Sequence, residues 1–178
     1  MKIRVKHLIG TVGGCIGGQV RNALLSALIG LCLVVVSFAA GSEDIIPSKE
    51  YRCPVCGMYV SMFPDWNAQI KFKDSTVAIF DGSKDMFKYY LDIKKYNPSK
   101  SKDEVAAILV KDYYSIADID ARQAYFVIWS DVYGPMGHEP IPFEKEADAK
   151  EFLIEHNGMK ILSFEEITHG MILSLDNP

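Results

Sequence analysis

Two short runs hold most of the donor chemistry in this chain: Cys53-Pro54-Val55-Cys56-Gly57-Met58, and far downstream Gly134-Pro135-Met136-Gly137-His138-Glu139. Together they supply two thiols, two thioethers and one imidazole, set among glycines and prolines. Thiolate and thioether sulfur are soft donors, a combination that selects Cu(I) over hard cations. Cys56 and Met58 stand on either side of the flexible Gly57, and Cys53 adds a second thiolate about one turn earlier. Most methionines fill cores, but Met136 lies between Pro135 and Gly137, two positions before His138. Such a turn is poor core, yet it can project two donors toward one point. The candidate metal donors are therefore Cys53, Cys56, Met58, Met136 and His138.

Other chemistries compete for the same residues. Structural zinc usually takes four protein ligands, often from two CxxC pairs; here there is one pair, so zinc would need His138 and a further donor. A redox pair of thioredoxin type caps a helix, which lowers its thiol pKa; this pair precedes a Pro64-Asp65 turn and then a strand. A thiol-disulfide oxidoreductase that keeps a partner's copper-site cysteines reduced is nevertheless the second functional reading. A structural zinc protein acting as an assembly module is the third, and an inert disulfide is the bland alternative for the pair, although closing so short a loop stabilises by only about 2 kcal/mol in the chain-entropy model. No Ser/His/Asp arrangement or phosphate loop is present, and the acids read as exposed, so no catalytic residues are assigned. Met86 reads as core, His156 and His169 as packed or end-satisfying residues, and Trp66, Trp129, Tyr113, Tyr114 and Tyr125 as core or cleft walls.

The amino end reads as a targeting segment. Lys2, Arg4, Lys6 and Arg21 are basic, no acid precedes Glu43, and an apolar stretch runs from Ala23 to about Ala40. A basic flank before an apolar core describes a signal peptide or a membrane anchor over residues 1–40. Ser37-Phe38-Ala39 offers small residues for cleavage. Export places the body in the periplasm, where Cys53 and Cys56 meet oxidising conditions. The chain has 19 bases against 23 acids. Four of the bases lie in that segment, leaving 15 against 23, a net −8, on the exported part. So acidic a body does not suit nucleic acid, whose phosphates need clustered Lys and Arg.

Residues 41–50 read as a tether. The elements that must position the donors follow. Alternation over Ala68-Gln69-Ile70-Lys71-Phe72 predicts a half-buried strand, Lys73-Asp74-Ser75 a turn, and Val77 to Phe80 a second strand. Ser83 is the expected N-cap of a helix with Asp85 in its first turn, its apolar face made by Met86, Phe87, Tyr90 and Leu91, and Asn97-Pro98-Ser99 stops it. Val105 to Val110 predicts a buried strand. The order then recurs: strand Ala124 to Ile128, a loop carrying Gly134 to Glu139, an edge strand Pro140 to Phe143 limited by its prolines, a helix from Glu144 to His156 ended by Asn157-Gly158, and strand Lys160 to Leu162. Ser163-Phe164-Glu165-Glu166 is a capping box expected to start a last helix toward Ile172. The fold class is α+β, with two similar β-β-α-β units, residues 51–112 and 113–178, packed side by side around a cleft, a common binding position.

The combination of Cys56-Gly57-Met58, Phe80-Asp81-Gly82 with Asp85 and Phe87, Ile119-Asp120-Ala121 leading to Ala124-Tyr125, Gly134 to Glu139, and Pro142-Phe143 resembles the NosL family, copper-binding accessory proteins of nitrous-oxide reductase. The resemblance spans about Tyr51 to Ile172. It implies a periplasmic, usually lipid-anchored protein that binds one Cu(I), delivers copper to nitrous-oxide reductase and its copper-assembly machinery, and is not an enzyme. Family ligands map onto Cys56, Met136 and His138. Cys53 is an addition that many relatives lack, and Leu31 before Cys32 departs from a lipobox.

Overall fold

The alternation read in the sequence becomes strand β1 (Ala68–Phe72), which pairs antiparallel with β2 (Val77–Phe80) from Ala68↔Phe80 to Lys71↔Val77. In the turn between them Ser75 adopts a left-handed φ of 68°, and the Asp74 carboxylate accepts the Thr76 N–H at 3.2 Å. An Asx bond of this kind stabilises a tight reversal. This computed structural model describes residues 50–176. The expected export segment and nearly all of the tether lie outside the described residues. Among the described residues no helix is long and apolar enough to cross a membrane.

β3 (Val105–Lys111) adds to the other side of β1, and β4 (Asp118–Asp120) closes the sheet in the order β2-β1-β3-β4. Strand β4 carries two acids in three residues, so it has no apolar alternation to betray it; its partner Val110↔Ile119 supplies the one buried pair.

Between β2 and β3 runs helix α1 (Ser83–Leu91), followed by the single turn α2 (Ile93–Tyr96). The N-cap is Gly82, not Ser83. Ser83 is already helical, and its hydroxyl donates to the Pro140 carbonyl instead of to its own helix end. The helix is buried through Ser83, Lys84, Asp85, Met86, Phe87 and Tyr89. Tyr90 and Leu91 are only half-buried, so the expected face is rotated toward Tyr89, whose ring meets Phe80 edge-on at 5.2 Å and stacks on Tyr96 at 5.8 Å.

The second half supplies β5 (Tyr125–Ile128), a two-strand hairpin β6 (Tyr133–Gly134) and β7 (Gly137–His138), β8 (Ile141–Phe143), α3 (Glu146–Glu155), β9 (Lys160–Ser163) and α4 (His169–Ser174). The sheet order is β8-β5-β9, the same threading as β2-β1-β3. The segment expected as a loop at Gly134 to Glu139 is thus largely a hairpin, with Pro135 and Met136 at its tip. β5 is apolar on both faces because both are covered. Phe126 points to the large core and meets Phe87 at 5.1 Å, while Val127 packs with Ile141, Phe143, Ala149 and Phe152 on the α3 side. Asn157 takes φ 52°, and the Gly158 N–H returns to Leu153 O at 2.8 Å, which satisfies the end of α3. The box of Ser163 and Glu166 forms as expected but closes only a 3₁₀ turn (Phe164–Glu166); α4 has its own cap, with Thr168 Oγ1 accepting the Met171 N–H.

Candidate metal centre

Tyr51 to Val60 folds back on itself. Cys53 N–H donates to Met58 O at 2.9 Å, Gly57 N–H to Cys53 O at 2.9 Å, and Val60 N–H to Tyr51 O at 3.1 Å. Gly57 sits at φ 79°, a left-handed conformation that glycine reaches without penalty. The loop buries Cys53 in the main core and leaves Cys56 half-exposed. Met58 is half-buried, and its carbonyl rather than its sulfur closes the loop.

Opposite the thiols stands the junction of β2 and α1. The Cys53 thiol donates to Asp85 Oδ2 at 3.3 Å, and the Cys56 thiol to Asp81 Oδ2 at 3.4 Å. Asp81 and Asp85 are wholly inaccessible to solvent. Their second oxygens, both Oδ1, find no hydrogen-bond partner, although Lys88 Nζ lies 3.7 Å from Asp85 Oδ1. Burial, with Asp81 nearby, raises the Asp85 pKa. Burial pushes the Cys56 thiol up to about 12, and the Cys53 thiol is raised further for the same reason. Without a cation, therefore, both cysteines are protonated thiols. A bound ion reverses this logic, because its charge deprotonates a coordinating thiol. The raised values also weigh against the oxidoreductase reading, which needs a thiolate; neither cysteine begins a helix.

The second run hangs from the same helix start. Glu139 is buried, and its carboxylate accepts the Lys84 N–H at 2.7 Å and the Ser83 hydroxyl at 3.3 Å. Free N–H groups in the first turn of a helix attract a carboxylate. Burial nevertheless pushes the Glu139 carboxyl up to about 7. A Cβ on Gly82 would stand 2.9 Å from Glu139 Oε1, and one on Gly134 would stand 2.5 Å from Glu139 Cγ, so both glycines make room for this clamp. Lys84 Nζ, itself buried, donates to the Met136 carbonyl and pairs with Asp176 at 3.0 Å. The His138 ring lies between Tyr133 at 4.6 Å and Trp129 at 5.0 Å, and its Nδ1 is buried without a hydrogen-bond partner.

An open cleft of about 490 Å³ joins the two runs; Cys56, Asp85, Met136 and His169 are among its walls. Cys56 and Met136 thus meet on one surface, and Cys53 stands behind Cys56 in the core. His138 does not line the cleft. His169, read from sequence as a packing residue, does. His156 is packed as expected, against Phe152 at 4.4 Å, with Nδ1 3.0 Å from Asp131 Oδ1. The larger correction concerns the acids. Asp81, Asp85, Asp112 and Glu139 are buried rather than spread over exposed faces. The signal for Asp81 and Asp85 was their spacing across a helix start, which reads equally well as dipole complementation.

Two sulfur-bearing segments converge beside buried carboxylates on an α+β frame, a donor set suited to a metal ion. The chain belongs to the NosL family, whose model matches residues 45–172. It is 29% identical over 134 residues to a copper-binding lipoprotein NosL of Stutzerimonas stutzeri, covering 73% of this chain and 68% of that protein. Among solved structures it is similar to the copper chaperone NosL from Shewanella denitrificans, with a TM-score of 0.59 and 27% identity over 69% of this chain and 93% of that one. The apo-NosL solution structure from Achromobacter cycloclastes gives a TM-score of 0.42 and 25% identity, over 59% of this chain and 87% of that one.

Proposed function

We propose that the chain is an exported Cu(I) carrier, not an enzyme, that delivers copper to nitrous-oxide reductase and its copper-assembly machinery. Cys56 binds as a thiolate, Met136 as a thioether and His138 through a neutral ring nitrogen. Cys53 and Met58 are auxiliary donors for handing the ion onward. The observation that carries this reading is the meeting of Cys56 and Met136, from segments far apart in the chain, on the walls of one open cleft. A soft sulfur pair there favours Cu(I), and an open cleft leaves a coordination position for a partner's ligand. The unpartnered Nδ1 of His138, two positions from Met136, is a nitrogen without other employment. The names borne by the Stutzerimonas and Shewanella relatives support copper as the cargo.

We read residues 51–112 and 113–178 as two β-β-α-β units meeting at this cleft, a reading supported by their equal strand threading. We read residues 1–40 as the signal peptide or membrane anchor and residues 41–50 as the tether of a periplasmic protein; the lipoprotein relative supports export and membrane attachment.

The test is a Cu(I) competition titration against a chromophoric chelator, under reducing conditions, on the native protein and on Cys56→Ala, Met136→Ala and His138→Ala. Cys56→Ala should abolish tight binding, and each of the other two should weaken it by at least ~10-fold, or about 1.4 kcal/mol. Unchanged affinity in Met136→Ala and His138→Ala together would remove the carrier site as drawn.

A further inference from the structure

The hairpin that carries Met136 and His138 cannot hold its own shape. Its strands β6 and β7 are two residues each, and an isolated two-stranded hairpin is marginal at best in water. Met136 at its tip has a flexible side chain with three rotatable bonds. Donors on so soft a support would have to be ordered by the ion they bind, and that ordering lowers affinity. Lys84 reaches the hairpin at two points. At the base the Lys84 N–H donates to Glu139 Oε2 at 2.7 Å, and at the tip Lys84 Nζ donates to the Met136 carbonyl.

The ammonium does this at a cost. Lys84 is 0% exposed, and lysine is almost never fully buried unless paired. Its partner Asp176, at 3.0 Å, is 33% exposed and is shared with Lys88 at 2.8 Å. A well-packed apolar side chain in place of a buried ion pair is often as stable or more so, so stability alone gives no reason for a lysine here. We propose that Lys84 is a positioning residue for the Cu(I) site: its buried ammonium fixes the main chain at Met136 and so presents the thioether to the cleft before the ion arrives. Asp176 follows α4, which supplies His169 and Leu173 to the same cleft; through Lys84, that wall and the Met136 turn are tied together. The inference rests on the Cu(I) reading above and adds to it a residue that touches no ion.

The test is a Cu(I) competition titration of the reduced full-length protein carrying Lys84→Met, alone and combined with Met136→Ala. Lys84→Met should leave the urea midpoint of the metal-free protein unchanged or raised, since Asp176 keeps Lys88. It should weaken Cu(I) about 10-fold, the lower end of the ~10–100-fold typical of losing an outer-shell partner, and by no more than Met136→Ala does. Combined with Met136→Ala it should cost nothing further, because the ligand it positions is already gone. Unchanged Cu(I) affinity in Lys84→Met overturns the proposal. So does an equal loss with and without Met136, which would mark Lys84 as merely structural. Should Lys84→Met fail to fold, methyl NMR of the native metal-free protein decides. The Met136 methyl must be as ordered as that of the buried Met86, and a methyl as mobile as that of the exposed Met62 overturns the positioning role. Unchanged affinity in Met136→Ala would defeat the Cu(I) reading itself, whereas unchanged affinity in Lys84→Met alone defeats only this inference.

Discussion

Asp112 and the Asp81–Asp85 pair are all buried, yet their surroundings are opposite. Asp112, between β3 and β4, accepts the Ser115 N–H at 2.8 Å, the Ser115 hydroxyl at 2.7 Å and the Glu144 N–H at 2.8 Å. Burial alone would raise its pKa, but these donors outweigh it and hold the carboxyl below its ordinary range. Asp81 and Asp85 each receive one weak thiol bond and keep a bare oxygen. Asp112 is thus saturated by fixed donors from the backbone and a neighbouring hydroxyl, whereas Asp81 and Asp85 are left half-satisfied beside sulfur.

The comparison can be broken by substitution. The largest expected effect is Asp112→Ala, which removes three hydrogen bonds to a buried carboxylate, from the Ser115 N–H and hydroxyl and the Glu144 N–H, and should cost about 1.5–3 kcal/mol in urea unfolding. Gly134→Ala, forced against Glu139 and Trp66, should cost about 1–2 kcal/mol by overpacking and weaken Cu(I) by displacing the Met136 hairpin. Asp81→Asn/Asp85→Asn should act in the other direction: in metal-free protein, stability is unchanged or rises by up to about 1 kcal/mol, because two half-satisfied buried carboxyls give way to neutral amides. A loss as large as that of Asp112→Ala would erase the distinction. The smallest effect is in the pH dependence. The folded pKa of Asp112 is depressed, so its stabilisation is present above the unfolded carboxylate value and is lost as pH falls through the folded one. Acid unfolding of native protein should therefore be steeper than that of Asp112→Asn; equal slopes would show that Asp112 contributes nothing to it.

Strands β1, β2, β3, β5, β8 and β9 were legible because their apolar residues alternate or run continuously between turn signals. β4 and the β6–β7 hairpin were not, since three and two residues respectively are too few to carry a period, and their identity comes from the partner strand. The donor chemistry of the two sulfur runs was legible from residue type. What brings them together was not. Ser83, Lys84 and Glu139 are polar residues that sequence reading places on the surface, whereas the fold uses them to clamp the second run onto the helix whose preceding turn and first residues face the first. Polar residues buried in pairs lose their pattern, because each is tolerated only by a partner distant in the chain.

The outer strand of the three-stranded sheet has one further consequence. Pro142 has no amide hydrogen, its carbonyl is taken by the Tyr113 N–H at 3.0 Å, and the next outward amide, that of Glu144, is held by Asp112. A visiting strand from another polypeptide would find nothing to zip onto along this margin. Crowded, metal-free protein is guarded there against edge-to-edge polymerisation by its own main chain.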